Sequence, residues 1–255
     1  MPKMIQFNME GNRWYYANGV WYASVTSFVD RSRPTPTHLL DWYKKNSKQE
    51  TDQILRDTSS YGTKFHDLAE EFMQCGILAP PKNYRLAKHL ASLAQFAYDY
   101  DVEPLYTEIR LRYDADENFG VNLAGTCDLL CKMNGKLAIV DYKTGNITDK
   151  HKYQIMCYAM AYSQKTGIDK NDIELYNFRP KDWRKNPTYE LKRWHVNQGD
   201  WEILDAMSKL FIFEYPKPIR EFEEFTLRQQ PIFNNIDPEK WIEKNDLESS
   251  VINMD

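Results

Sequence analysis

The chain holds no run near the roughly 20 apolar residues that a membrane-spanning helix needs. Its opening stretch, MPKMIQFNMEGNRWYY, contains no apolar signal core. A cytoplasmic protein with no membrane contact is the expectation. Only four cysteines are present, Cys75, Cys127, Cys131 and Cys157, and none forms a C-x-x-C pair. They are too few for a disulfide framework in a chain of 255 residues and read as reduced core side chains. A G-x-x-x-x-G-K-[ST] phosphate loop is missing, so no nucleotide-driven motor is fused here. A basic excess is missing too: 33 Lys and Arg face 37 Asp and Glu, a formal net charge of −4. That balance argues against coating nucleic acid through bulk charge but allows a local basic patch on an acidic body. Internal repeats and low-complexity tracts are absent.

What is present suits a folded enzyme-sized domain. Hydrophobic residues make up 42% of the chain and aromatics 14%, enough apolar surface to offset the entropy of ordering it. The length fits one domain with decorations, over residues 1–236, followed by an acidic, partly disordered tail at 237–255. Residues 4–23 alternate like a hairpin or short meander, with Asn12 and Asn18-Gly19 as turn signals. Ser24 or Thr26 can cap a short helix, and Thr37 can open another carrying Leu39, Leu40, Trp42 and Tyr43. Near-helical spacing runs from about 49 to 75, interrupted around Ser59 to Gly62, and a further helix is expected over 84–100.

From 104 to 143 the period changes to two. LYTEIRLRY, NLAGTCDLLCKM and KLAIVDYK read as the sheet core, with Asn134-Gly135 turning the last two into a hairpin. A helix over 150–165, strands near 172–178 and 189–196, and a helix near 199–214 complete the pattern. In that hairpin, alternation puts Asp128 and Leu130 on one side, with Cys127, Leu129 and Cys131 on the other. Asp141 and Lys143 share a face of the next strand. Two carboxylates and one ammonium can therefore converge. A hard cation such as Mg²⁺ is the reason to build such a cluster, since it takes one or two carboxylates and leaves positions open for a phosphate. It can acidify a water and neutralise phosphate charge while the lysine stabilises the transition state, which matches phosphodiester hydrolysis. Asp/Glu-x-Lys recurs at Glu190-Leu191-Lys192, among exposed charges, whereas Asp141 follows the apolar run Leu137 to Val140. A solvated strand-end ion pair is the competing account.

The order of the remaining polar positions separates the two accounts. In YGTKFHDLAEE, His66 and Glu70 lie one helical turn apart, and in YQIMCYAMAY so do Gln154 and Tyr158. The succession G-T-x-x-H, then Glu108 in a strand, then G-T-x-D, D-Y-K-T-G and Q-x-x-x-Y resembles the RecB-like branch of the PD-(D/E)xK nuclease superfamily. That branch includes the nuclease domains of RecB and AddB, Cas4, and many phage and mitochondrial single-domain exonucleases. The resemblance covers roughly residues 60–160, with a looser echo in ASVTSFVDRS.

It implies an α/β fold with a restriction-endonuclease-like core: a mixed central sheet flanked by helices, here with an N-terminal β-hairpin and helical decoration. It implies metal ligation by His66, Asp128 and Asp141, with the Tyr142 backbone carbonyl as a further ligand and Lys143 as the catalytic lysine. Gln154 and Tyr158 match the motif that holds that lysine and the DNA backbone, while Glu108 and Glu70 stand behind the ligands. The implied cofactor is Mg²⁺, with Mn²⁺ as a substitute. No cysteine follows Cys157, so the Fe-S cluster of some members is not implied. The implied partners are DNA with free ends and a single-strand annealing or recombination protein, in a bacterial or phage-infected cell.

The expected activity is metal-dependent DNA exonuclease. A Cas4-like or structure-specific endonuclease and an inactive nuclease-fold binding protein are the alternatives. A path for the nucleic acid is offered by RPKDWRKNPTYELKRWH, where Arg179, Lys181, Arg184, Lys185, Lys192 and Arg193 are interleaved with Trp183, Tyr189 and Trp194. The other account of this stretch is a solvated hairpin whose tryptophans pack on the core. Lys44, Lys45 and Lys48 form a second basic group.

Overall fold

A computed structural model describes residues 4–215 except 10, 18, 35, 36 and 78, together with the backbone of 251–254. Three strands open the chain as a meander: β1 (Ile5–Met9), β2 (Asn12–Ala17) and β3 (Val20–Ser24). The first turn falls just before Asn12, where Gly11 takes φ +70°. Asn18 lies outside the described residues. Helices α1 (Val25–Arg31), α2 (Thr37–Lys45), α3 (Lys48–Cys75) and α4 (Tyr84–Asp99) follow.

The sequence suggests a break in α3 around Ser59 to Gly62, but the helix runs through it. Ser47 and Glu50 cap its start reciprocally and Gly76, at φ +69°, closes its end. Burial of Phe65, Ala69 and Met73 outweighs the roughly 1 kcal/mol that a mid-helix glycine costs.

The chain then forms β4 (Val102–Tyr113), β5 (Leu123–Met133), β6 (Lys136–Tyr142), α5 (Asp149–Thr166), β7 (Glu174–Pro180), β8 (Tyr189–Trp194) and α6 (Gln198–Glu214). A short strand β9 (Val251–Met254) pairs with β1. The sheet is mixed and runs β8-β7-β6-β5-β3-β2-β1-β9, with β4 also paired to β5. Asn134 and Gly135, at φ +47° and +78°, make the tight β5–β6 hairpin that their dipeptide predicts. Crossing through α5, β6 and β7 lie parallel, which sets Asp141 opposite Asn177.

Helices cover both faces of the sheet. On one, Phe65 and Ala69 of α3 and Leu93 and Phe96 of α4 pack with Leu129, Val140 and Phe178. On the other, α1, α5 and α6 pack with Cys127, Leu130 and Ile139. Simple alternation along β5 therefore fails at Asp128. Cys127 shares a core with Leu130, while Leu129 and Cys131 belong to the opposite one. The cause is local. Regular β5–β6 pairing begins only at Leu129 with Val140. Across β4, Glu108 adopts φ +45°, a left-handed backbone rare for a residue with a Cβ.

No helix among the described residues is long and apolar enough to cross a membrane. The tail expected at 237–255 lies outside the described residues but for the backbone of β9.

Candidate active site

Where β5 and β6 part, their polar side chains gather. Asp128 and Asp141 are 7% and 2% exposed, far more buried than carboxylates usually are. Asp128 stays in place because one carboxylate oxygen accepts the Tyr142 backbone N–H at 2.5 Å, standing in for a strand carbonyl beyond the last regular pair. Its other oxygen lies 3.2 Å from Nδ1 of His66, which α3 brings across the sheet. Glu108 Oε1 stands 4.0 Å from the same His66 nitrogen. Ligand atoms of His66, Glu108 and Asp128 all fall within 4.8 Å of one another. Sequence reasoning sets Glu108 behind His66, Asp128 and Asp141; the structure gathers Glu108 with His66 and Asp128 and leaves Asp141 outside that group.

Asp141 is gripped from three directions. Lys143 Nζ is 2.5 Å from Oδ2, Asn177 Nδ2 donates to Oδ2 at 2.7 Å, and Gln154 Nε2 donates to Oδ1 at 3.2 Å. Gln154 also donates to the Tyr158 hydroxyl at 3.3 Å, so the Q-x-x-x-Y pair acts on the acid that partners the lysine. A Cβ at Gly125 would stand 3.0 Å from the Tyr158 ring, which explains the glycine of G-T-x-D. Asn177 is fully buried, and its amide oxygen accepts the Trp194 indole N–H at 2.6 Å, fixing which way the amide points. Sequence reasoning missed Asn177. The only signal is an uncharged polar residue inside the apolar strand ELYNFRP, and its partner is set by a parallel pairing 36 positions away. Glu70 bonds Gln74 at 3.0 Å and lies outside the His66, Glu108 and Asp128 group.

The electrostatics push the carboxylates apart. Burial acts to raise Asp128, yet His66, Lys143 and the Tyr142 N–H outweigh it and hold the carboxyl below its ordinary range. For Asp141, burial and the neighbouring Asp128 prevail over Lys143 and lift the carboxyl to about 6. Glu108 is lifted to about 7 by burial and by Asp128, against the pull of His66. Burial would depress His66, but Asp128 and then Asp141 raise it to about 8. Two of three acids are thus held toward their neutral forms by crowding and desolvation.

The basic hairpin behaves differently from the site. Trp183 docks on α4, donating to the Lys88 carbonyl and Ser92 Oγ at 3.1 Å each. Tyr189 donates to Asp99 at 2.6 Å, and Trp194 serves Asn177. Its three rings are therefore used by the protein itself. Arg179 and Lys181 both lie 3.5 Å from Glu190, Arg193 lies 2.9 Å from Glu174 and Lys192 3.9 Å from Asp149. Arg184 and Lys185 are exposed. Of the second basic group, Lys44 lies 3.9 Å from Asp41.

The chain matches the family model of the PD-(D/E)XK nuclease superfamily over residues 82–228, more than half its length. The chain belongs to that superfamily. No curated protein matches it. Among solved structures, one described as "Crystal structure of SSO0001" is matched at 14% identity over 85% of each chain, with a TM-score of 0.36. As a PD-(D/E)XK protein it is a member of a group of metal-dependent nucleases, and the side chains fit a divalent cation. Glu108 and Asp128 offer oxygen donors, His66 offers a nitrogen, and the raised Glu108 marks a cluster short of positive charge.

Proposed function

We propose that this PD-(D/E)XK protein is a DNA exonuclease of the RecB-like branch, acting on DNA with free ends. In this reading Mg²⁺, or Mn²⁺ in its place, is held by His66, Asp128, Asp141 and the Tyr142 carbonyl, with Glu108 close enough to join. The observation that carries it is the 2.5 Å pair of Lys143 and Asp141, buried beside a histidine-carboxylate cluster. Residues 1–236 form the nuclease domain, and a single-strand annealing or recombination protein is its partner.

A divalent cation there supplies positive charge to the scissile phosphate and acidifies a water. The chain's own residues do the rest. Asn177 and Gln154 each donate to one oxygen of Asp141, leaving its carboxylate a single orientation. Asp141 in turn holds the Lys143 ammonium at the mouth of the site, where it meets charge developing on the phosphate. The apolar walls built by Phe65, Tyr142 and Phe178 keep bulk water from the inner side, so each of these charges acts at low screening.

The test uses end-labelled single- and double-stranded DNA, linear and circular, with Mg²⁺, Mn²⁺ or chelator. Linear DNA is degraded by the wild type only with metal, and Lys143→Ala and Asp128→Ala abolish the degradation. Undiminished activity in Lys143→Ala would sink the proposal, and cleavage of circles would replace an exonuclease with an endonuclease.

A further inference from the structure

From Phe72 to Tyr98 the chain contains no Asp or Glu, yet it carries Lys82, Arg85 and Lys88 in a protein whose net charge is −4. The structure places these cations at the start of α4. There Tyr84, 76% exposed, and Arg85 face solvent. The β7–β8 loop folds onto the same spot, because Trp183 anchors to the Lys88 carbonyl and to Ser92. Lys88 Nζ lies 5.1 Å from the Trp183 ring centre and 5.5 Å from that of Tyr84. Arg85 lies 4.8 Å over the Tyr61 ring. Arg184 follows on the loop, exposed. Among the described residues Arg85, Lys88 and Arg184 make no salt bridge. Asp182, on the same loop, faces His89 at 3.6 Å.

Beside Tyr61, a Cβ at Gly62 would stand 3.5 Å from Oγ1 of Thr144, the residue that follows Lys143, so this part of α3 borders the site. Tyr61 and His66 share α3 and are separated by about 7.5 Å of helix rise. Tyr61 is fixed by a 2.7 Å hydrogen bond to the buried His89. Desolvation, then the Arg85 charge and with it Lys88, keep the His89 pKa below its usual value against the pull of Asp182.

We infer that Tyr84, Arg85, Lys88 and Arg184 form a binding strip for single-stranded DNA, leading the strand between solvent and the Asp128–Asp141 site. The strip rests on the nuclease reading for its polymer. Cations without carboxylate partners suit a string of phosphates, and the exposed Tyr84 ring gives a base a face to stack on. A duplex hides its base faces and could use only the charges. The aromatic residue among the free cations therefore selects the single strand.

The test is equilibrium binding of a fluorescent single-stranded oligonucleotide, and of its duplex, to the full chain in chelator across a salt series. One variant combines Arg85→Gln, Lys88→Gln and Arg184→Gln, keeping the Lys88 backbone that anchors Trp183. A second is Tyr84→Ala, at a position too exposed to threaten folding. The control, Lys132→Gln with Lys136→Gln, removes charges paired to Glu103 and Glu174 at the far end of the β5–β6 hairpin. The triple variant should flatten the dependence of log affinity on log salt by about 2, at roughly 0.7 per lost phosphate contact. Tyr84→Ala should weaken single-strand binding about tenfold and duplex binding little. The control should match the wild type.

Wild-type affinity and slope in the triple variant would overturn the strip, as would equal losses in the control. A Tyr84→Ala loss confined to duplex would overturn the single-strand assignment. Because no cleavage is read, a protein that binds through the strip yet cuts nothing retains the strip and loses the nuclease reading. One that cuts linear DNA with an indifferent strip does the reverse.

Discussion

The chain carries the Asp/Glu-x-Lys pattern twice, and the two copies fold into different things. Asp141 belongs to β6, an interior strand with neighbours on both sides, Lys143 follows directly on its end, and the two pair with each other at 2.5 Å. Glu190 and Lys192 belong to β8, at the end of the sheet, and they do not pair. Glu190 answers Arg179 and Lys181 instead, while Lys192 lies over the Trp194 ring, 3.8 Å from its centre, and reaches toward Asp149. Exposed ion pairs of the second kind contribute about 0–1 kcal/mol each. Removing one partner from a buried group of the first kind costs about 3–5 kcal/mol, because the other charge is stranded. Spacing alone says that an acid and a base share a strand face. An interior strand whose ladder opens at its end turns that face into a site.

The difference is tested most strongly by removing each lysine in turn. Lys143→Ala should lower the rate of DNA degradation by at least about 10²-fold, the scale of losing one preorganised electrostatic stabiliser. Lys192→Ala should change it no more than a few-fold. Matched losses in single-turnover rates would erase the distinction between the copies. Next in size is Asn177→Ala, which frees Asp141 Oδ2 from its amide donor while leaving every proposed ligand in place. A drop of about 10–100-fold in Mn²⁺ affinity by calorimetry, or in activity, is expected. Asn177→Asp should be worse, since it sets a second carboxylate against Asp141. Arg179→Gln, which loosens Glu190 in the other copy, should leave both quantities unchanged.

Smaller again is Gly125→Ala. The new Cβ would sit 3.0 Å from the Tyr158 ring and 3.3 Å from Val25, both packed in the core. The result should be a loss of about 1–3 kcal/mol in stability by denaturant melts, as for other overpacked cores. Activity should fall alongside, because Tyr158 supports Gln154 and through it Asp141. A stable Gly125→Ala protein would show that the Q-x-x-x-Y pair has room to move, and would weaken the contrast with the loosely held second copy.

These residues also mark how far the sequence could be read. Period-two segments, the Asn134-Gly135 turn and the apolar run before Asp141 made the sheet core and its acidic end legible, because all are local signals. Local signals misjudged α3, where burial of Phe65, Ala69 and Met73 overrides a Ser-Ser-Tyr-Gly stretch. They also misjudged the faces of β5, where a break in pairing at Asp128 resets the alternation. Long-range contacts left no trace at all. Asn177 finds Asp141 only through the parallel β6–β7 pairing, Trp183 leaves the solvent only because α4 offers Lys88 and Ser92, and the backbone of Glu108 reveals itself only in its φ.

The finest probe of the two copies is His151, on which the lysines of both act. Its Nδ1 accepts the Thr148 N–H at 3.0 Å and helps cap α5. Burial of the ring first, then Lys143, Lys150 and Lys192, lower its pKa from 6.5 to about 3. The folded protein thus takes up this proton less readily than the unfolded chain does. The His151 contribution to stability is constant above about pH 6.5 and declines as pH falls from there toward about 3. His151→Asn, which keeps an acceptor for the cap, should remove that part of the acid sensitivity in melts run across this window. In ring-proton NMR titrations Lys143→Ala should raise the His151 pKa more than Lys192→Ala does, since the buried lysine acts with less solvent between. A larger rise on removing Lys192 would bring the second copy's ammonium nearer the site than the fold allows, and the two copies would no longer be distinct in kind.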